Sequence, residues 1–233
     1  MNIRPIKTRV FEGREDLLAF LHEYIPSLKN GSILVVTSKI VALAEGRVAD
    51  LKDKEKIIRR ESEWAKKTKY VWLTMKDRVL LANAGVDASN ANGKLILLPK
   101  DSFAAAENLR RDLSQLYKVK LGILITDSRV MPLRAGVTAV ALGYAGFKGL
   151  RDYRGKKDIF GRKLKFTQTN VADSLATAAT LAMGEGSERQ PLCIIEGAPV
   201  EFTTRVDKKE LRISLEDDMY APLFKSRKGR RSR

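Results

Sequence analysis

The sequence predicts an α+β protein in which mixed sheets pack against helices. Three features lead there: apolar runs of strand length recur along the chain, helically spaced segments lie among them without strict alternation, and hairpin-like strand pairs are mixed in. No linker rich in Pro, Gly or Ser divides residues 1–224, so one catalytic domain is expected there, followed by a basic, disordered tail at 225–233. With 233 residues, 44% of them hydrophobic, the chain can bury a core without disulfides or structural metal.

Leu17, Leu18, Leu21, Tyr24 and Ile25 recur at helical spacing and predict a first helix. The Lys29-Asn30-Gly31 turn then leads into SILVVTS, an apolar run of strand length. From Asp50 to Lys69, charges of both signs surround Ile57, Ile58 and Trp64, a pattern that predicts an exposed helix. YVWLT, RVLLANAG and KLILLPK read as three strands parted by turn signals at Lys76-Asp77 and Asn92-Gly93. Asp101 and Ser102 can cap a helix whose inner face carries Ala105, Leu109, Leu113 and Leu116.

Leu121, Ile123, Leu124 and Ile125 form a continuous buried strand that ends on Asp127 and Ser128, with Arg129 and Arg134 close behind. After Arg134 a strand and then a long loop-rich segment are expected. Gly143, Gly146 and Gly149 lie in that stretch but lack the Gly-Lys-Ser/Thr ending of a phosphate loop, so they are assigned to turns. A strand at KLKFTQTN, an Ala-rich helix from Val171 to Met183 with Gly184 as its C-cap, and strands around CIIEG, VEFTTRV and LRISL complete the body.

Composition narrows the chemistry. No apolar run approaches the roughly 18 residues of a spanning helix, and the N-terminal MNIRPIKTRV lacks an apolar signal region, so a cytoplasmic protein without membrane contact is expected. The single cysteine, Cys193, lies in the apolar run PLCIIEG and reads as a core residue. Without a second histidine or cysteine, His22 cannot anchor a nitrogen and sulfur metal site. Any metal must then be held by oxygen, which favours hard cations such as magnesium, manganese or calcium. The net charge is +16, but the tail KSRKGRRSR carries six of those charges, enough for weak RNA contact. The remaining +10 also suits a small substrate bearing several phosphates or carboxylates.

Four segments can carry chemistry. Asp87 in NAGVDASN and Asp127 both follow apolar strands, and two aspartates at two strand ends make an oxygen-only site for a metal on phosphates; Ser128 adds a third oxygen. The same aspartates also read as ordinary turn and cap residues. In MGEGSERQ, residues 183–190, Gly184 and Gly186 would let backbone N–H groups approach an anion, with Glu185 as another hard ligand; taken alone the stretch is a helix stop. RDYRGKKDIFGRK, residues 151–163, is either a solvated loop or an anion-recognising segment.

Together these segments resemble one family, the F420-0:gamma-glutamyl ligases, also called coenzyme F420:L-glutamate ligases. The resemblance rests on GSILVVTSKIVALAEGR at 31–47, NAGVDASN at 83–90, LLPKDSFAAAENLRRDL at 97–113, GILITDSRVMPLRAG at 122–136, and GLRDYRGKKDIFGRKL with VADSLATAATLAMGEGS through residue 187. It implies an α+β fold of the F420:gamma-glutamyl ligase type and a homodimer. It also implies an amide ligase that uses GTP, with ATP as the alternative, and magnesium or manganese to attach L-glutamate to a phosphate-bearing deazaflavin through an acyl phosphate. By position, Asp87 and Asp127 resemble the principal metal ligands, with Ser128 and Glu185 at a second metal. Ser38, Lys39, Asn90 and the stretch Met183, Gly184, Glu185, Gly186 and Ser187 resemble nucleotide contacts. Asp127 is then also catalytic, and Arg134, with the arginines of the RDYRG segment, would orient anionic oxygens.

The chain departs from the family pattern at Leu43, where a lysine is common, and at 128–134, where only the ends and Pro132 of Thr-x-Gly-Arg-Pro-aromatic-Arg remain. Those departures bear on the acceptor, for which a folate-like molecule is the alternative to F420-0. A third reading, drawn from the charge and the tail, is a basic RNA-associated protein without ligase activity.

Overall fold

The structure, a computed structural model, describes residues 1–224. The tail expected at 225–233 lies outside the described residues.

The central sheet has five strands in the order β1 (Asn2–Ile6), β12 (Leu192–Glu196), β2 (Ser32–Thr37), β8 (Leu121–Val130) and β9 (Val137–Ala145). β2 and β8 run parallel, whereas the other neighbours are antiparallel. Helices cover both faces, so the inner strands bury both sides and read as unbroken apolar runs instead of alternating ones. On one face, Leu34, Val36, Ile123 and Ile125 pack with α1 (Leu17–Tyr24), α2 (Ser38–Ala44) and α4 (Ser102–Tyr117). On the other, Ile33, Val35, Leu124 and Cys193 meet the small residues of α5 (Val171–Met183). Alanines at 172, 176 and 179 bring that helix close to the sheet. Pro5 in β1 has no N–H to donate, which the edge position tolerates.

Smaller elements flank this core. α3 (Lys54–Arg60) precedes a three-stranded meander of β4 (Trp64–Lys67), β5 (Trp72–Lys76) and β6 (Val79–Ala82). Two ribbons pair β3 (Val48–Asp50) with β7 (Lys94–Ile96), and β10 (Leu150–Asp152) with β11 (Gln168–Asn170). A last turn of helix, α6, spans Ala221–Phe224. Among the described residues no helix is long and apolar enough to cross a membrane.

Several expectations are corrected. The strand carrying Asp127 does not end there: β8 continues to Val130 because β9 goes on pairing with it past a bulge between Ile125 and Thr126. The apolar run marks where burial stops, not where the strand stops. The helix expected over 50–69 closes at Arg60 once Ile57 and Ile58 are buried, and Trp64 begins a strand opposite Met75. Only Gln168–Asn170 of KLKFTQTN is extended in a sheet. VEFTTRV and LRISL are not strands; Val206 and Leu211 are partly buried against the second core cluster, and one bridge joins Phe202 to Phe147. The inner face of α4 uses Ala106 with Leu109 and Leu113, leaving Leu116 exposed. Of the three glycines assigned to turns, Gly143 has an ordinary backbone and instead admits the start of α4, since a Cβ there would lie 2.5 Å from the Phe103 nitrogen. β1, α2 and β3 are elements that periodicity had not predicted.

Candidate active site at the ends of two parallel strands

The parallel register of β2 and β8 sets Thr37 opposite Thr126, so the next residues, Ser38 at the start of α2 and Asp127 still within β8, come side by side. Ser38 opens α2, and its Oγ donates to Asp127 Oδ1 at 3.1 Å. Lys39 follows and reaches the other way, placing Nζ 2.8 Å from Asp87 Oδ2 and 3.0 Å from the Ser89 carbonyl. One dipeptide thus joins two carboxylates far apart in sequence.

Asp87 is positioned by its own backbone, which exchanges hydrogen bonds with Ile96, and by a tight turn at Asn83-Ala84-Gly85, all three with positive φ. Gly85 is required there: a Cβ would sit 2.5 Å from Leu98 Cγ. Ser89 donates to Asp87 from both its backbone N–H, at 2.7 Å, and its hydroxyl, at 2.6 Å. Burial opposes the charge of Asp87, but Lys39 and Ser89 outweigh it and hold the carboxyl below its ordinary range. Asp127 goes the other way. Burial pushes its carboxyl up to about 6, only partly offset by Ser38, and the nearby charge of Asp87 adds to the rise. The two carboxyls are linked through the adjacent residues Ser38 and Lys39.

The MGEGSERQ loop closes over this pair. Ser128 Oγ lies 2.8 Å from both oxygens of Glu185, and Asn90 Nδ2 donates to the Gly186 carbonyl at 3.2 Å. The amides of Gly184 and Gly186 are already used inside the chain, by Thr180 O at 3.0 Å and Glu188 Oε2 at 2.7 Å. An anion reaching Gly186 must displace the Glu188 carboxylate. Met183, the last residue of α5, is buried in the core, so no side-chain contact with a nucleotide is open to it, whereas Ser187 is exposed.

Three of the four predicted segments therefore meet. Arg134 does not join them: it is exposed at the tip of the β8–β9 hairpin, and among the described residues no hydrogen bond or ion pair ties its side chain to the carboxylates. The RDYRG segment builds the β10–β11 ribbon and spends much of its charge internally, in Arg154–Asp152 at 2.6 Å and Arg162–Asp158 at 3.2 Å. Arg151 donates to the Pro199 carbonyl. Sequence reasoning missed Ser89, whose place in DASN gave no sign of its double contact to Asp87. Arg129, singled out beside Asp127 in the sequence, turns to Asp173 of α5 at 3.3 Å, a partner the sequence did not indicate.

The donors at the site are hydroxyls and carboxylates beside one ammonium. Among the described residues no three His, Cys, Asp or Glu side chains form a metal-binding group by themselves. Two carboxylates suffice where a substrate brings phosphate oxygens of its own.

Comparison with known proteins agrees with this arrangement of motifs. The profile of the F420-0:Gamma-glutamyl ligase family matches residues 53–197. The chain is 33% identical to the coenzyme F420:L-glutamate ligase of Methanocaldococcus jannaschii, over 89% of this chain and 92% of the relative. It is 35% identical to that of Methanopyrus kandleri, over 85% and 86%, and 34% identical to that of Archaeoglobus fulgidus, over 86% and 89%.

Proposed function

The chain belongs to the F420-0:gamma-glutamyl ligase family, and from that membership we propose that it joins L-glutamate to the carboxylate of F420-0, driven by GTP. The observation that carries this reading is the meeting of Asp87 and Asp127 around the Ser38-Lys39 dipeptide.

Moving a γ-phosphoryl group onto a carboxylate brings two anions together, so positive charge must be in place before attack. The residues present fit a hard divalent ion, magnesium or manganese: every candidate ligand is an oxygen, and Asp127 is a half-buried carboxyl whose hydrogen bond from Ser38 does not compensate its desolvation. Asp87 and Asp127, with Ser128 and Glu185 beside them, would hold such ions, whose charge screens phosphate from carboxylate.

The chain's own groups do the rest. Ser38 fixes the orientation of Asp127. Lys39 shares Asp87 with Ser89, and its ammonium, whose three N–H groups are taken by Asp87 and Ser89, would exchange one of them for an incoming phosphate oxygen. In the proposed reaction an acceptor carboxylate oxygen attacks the γ-phosphorus, the bond to the β–γ bridging oxygen breaks, and GDP leaves. The glutamate amine then attacks the acyl carbon and expels phosphate, which takes up the amine proton. No nucleophile from the protein is required, consistent with a chain whose one cysteine is buried.

Purified protein incubated with L-glutamate, GTP, manganese and F420-0 tests the reading. The expected result is phosphate release and an acceptor heavier by one glutamyl unit, with slower turnover on ATP or on a folate. Absence of phosphate release with F420-0 would sink it.

A further inference from the structure

The meander of β4, β5 and β6 has one buried face and one open face. Cross-strand partners share a side, so Ala65, Trp72 and Thr74 point inward, while Trp64, Lys66, Leu73 and Met75 point outward. On the outward side Trp64 is 39% exposed and Leu73 36%. At the β4–β5 turn Tyr70 is 84% exposed, with Lys69 Nζ 5.0 Å from the centre of its ring. A ring held in water with a cation on one face can stack through the other.

Charge gathers on the same elements. Residues 52–78 hold ten lysines and arginines against five aspartates and glutamates, which is +5 of the +10 that residues 1–224 carry. Ion pairs occupy Glu55 and Glu61, with Arg59, Arg60 and Lys76 as partners. The acids left over are Asp53, Glu63 and Asp77. Among the described residues Lys66, Lys67, Lys69 and Arg78, all exposed, form no ion pair, nor do Lys52, Lys54 and Lys56 around the start of α3. Lys67 and Arg59 are steadied by the Trp72 ring, 5.7 and 4.5 Å from its centre.

These features lie along one strip. Lys69 and Tyr70 stand before the five residues of β5 and Arg78 just after them, so the strip is about 17 Å long at the ordinary strand rise. Cations along an open sheet face with aromatic rings between them match the alternation of phosphates and bases in a single strand. A duplex hides its base faces. A lipid surface calls for apolar side chains that reach into it, whereas Trp64 and Leu73 keep more than half of their surface covered.

We propose that the open face of this meander binds single-stranded RNA, with one base stacked on Tyr70, another on Trp64, and Lys66, Lys69 and Arg78 on the phosphates. The strip holds none of the carboxylate-site residues, and its assignment does not depend on the ligase reading.

Fluorescence anisotropy of a labelled oligouridine, titrated with the full-length protein between about 50 and 200 mM potassium chloride, tests this. The six cations of residues 225–233 are replaced by glutamine in every protein compared, so that the tail contributes nothing. Binding should persist in that background and weaken as salt rises. K66E/K69E/R78E should weaken it at least about tenfold and lower the slope of log affinity against log salt by about 2, the share of three phosphate contacts on a single strand. Tyr70→Ser, at a side chain too exposed to support the fold, should cost about fivefold or more and leave the slope unchanged. Melting temperatures should agree among these proteins. The proposal is overturned if the tail-silenced protein binds no oligouridine at about 0.1 mM, if either set of substitutions is silent, or if duplex RNA binds more tightly than the single strand. Binding to phosphatidylglycerol vesicles that needs Tyr70, beside RNA binding that does not, would also overturn it and give the face to a membrane.

Discussion

Ser38 Oγ stands 3.1 Å from Asp127 Oδ1 although 89 positions separate the two residues. The contact follows from parallel register, since Thr37 and Thr126 are the last paired residues of β2 with β8. A hydroxyl is the direct partner of a carboxyl that burial drives toward its neutral form.

Removing that hydroxyl should move the enzyme's pH dependence in a definite direction. The hydrogen bond favours the ionised form of Asp127, so Ser38→Ala raises a carboxyl pKa already near 6. At any pH below the plateau less of the carboxylate is charged, and the acidic limb of kcat/KM against pH shifts upward. An unmoved limb would mean that Asp127 is not the group titrating in that profile.

Asp127→Asn should abolish turnover while leaving the fold intact. The amide keeps the shape and removes the charge, and a loss on the order of 10²–10³ or more in kcat is expected. Circular dichroism and the melting temperature should stay near wild type, because desolvation already opposes the native charge. A variant with normal turnover would remove the carboxylate from the chemistry.

Lys39→Met should raise the pKa of Asp87, whose charge that ammonium supports from 2.8 Å. Nucleotide affinity, measured by calorimetry with manganese-GTP, should drop about tenfold or more as the lysine's charge-assisted contacts are lost. Lys39→Arg should restore part of it. Equal affinity in all three proteins would assign Lys39 a purely structural part.

Glu61 offers a test of stability apart from catalysis. Burial opposes its charge, but Lys76 at 2.6 Å, with Arg60 and Arg47, outweighs that and brings the carboxyl down to about 2. A depressed pKa gives stability that is fully present above the unfolded value near 4.5 and lost as pH falls through about 2. Allowing for solvent screening, Glu61→Gln should cost about 1–2 kcal/mol at pH 7. Urea melts at pH 7 and pH 2.5 should show the difference shrinking at the lower pH; a constant difference would refute the ion-pair account.

Gly143→Ala should destabilise the protein by about 2–3 kcal/mol, because the added methyl meets backbone at the start of α4 and not a side chain that can turn away. The melting temperature reads this directly.

The central strands and the Ala-rich helix were legible because burial on two faces writes an unbroken apolar run and close helix packing writes a run of small residues. Asp87, Asp127, Ser128 and Glu185 could be picked out because each stands at the end of an apolar segment. What stayed hidden depends on tertiary pairing. The extension of β8 to Val130 is set by β9, α2 is only seven residues long, and β1 is stabilised by its neighbour β12. The partnership of Ser89 with Asp87, and the seat of Glu188 on Gly186, arise from turns whose shape no spacing rule specifies.

The parallel pairing of β2 with β8 also has a kinetic meaning. Joining strands so distant along the chain is a slow, high-contact-order event. Ser38 and Asp127 come together only when that event is complete, so regain of activity after dilution from denaturant should trail the return of helical signal. Turnover then reports closure of the middle of the sheet, and a chain arrested before it would be helical, collapsed and inert.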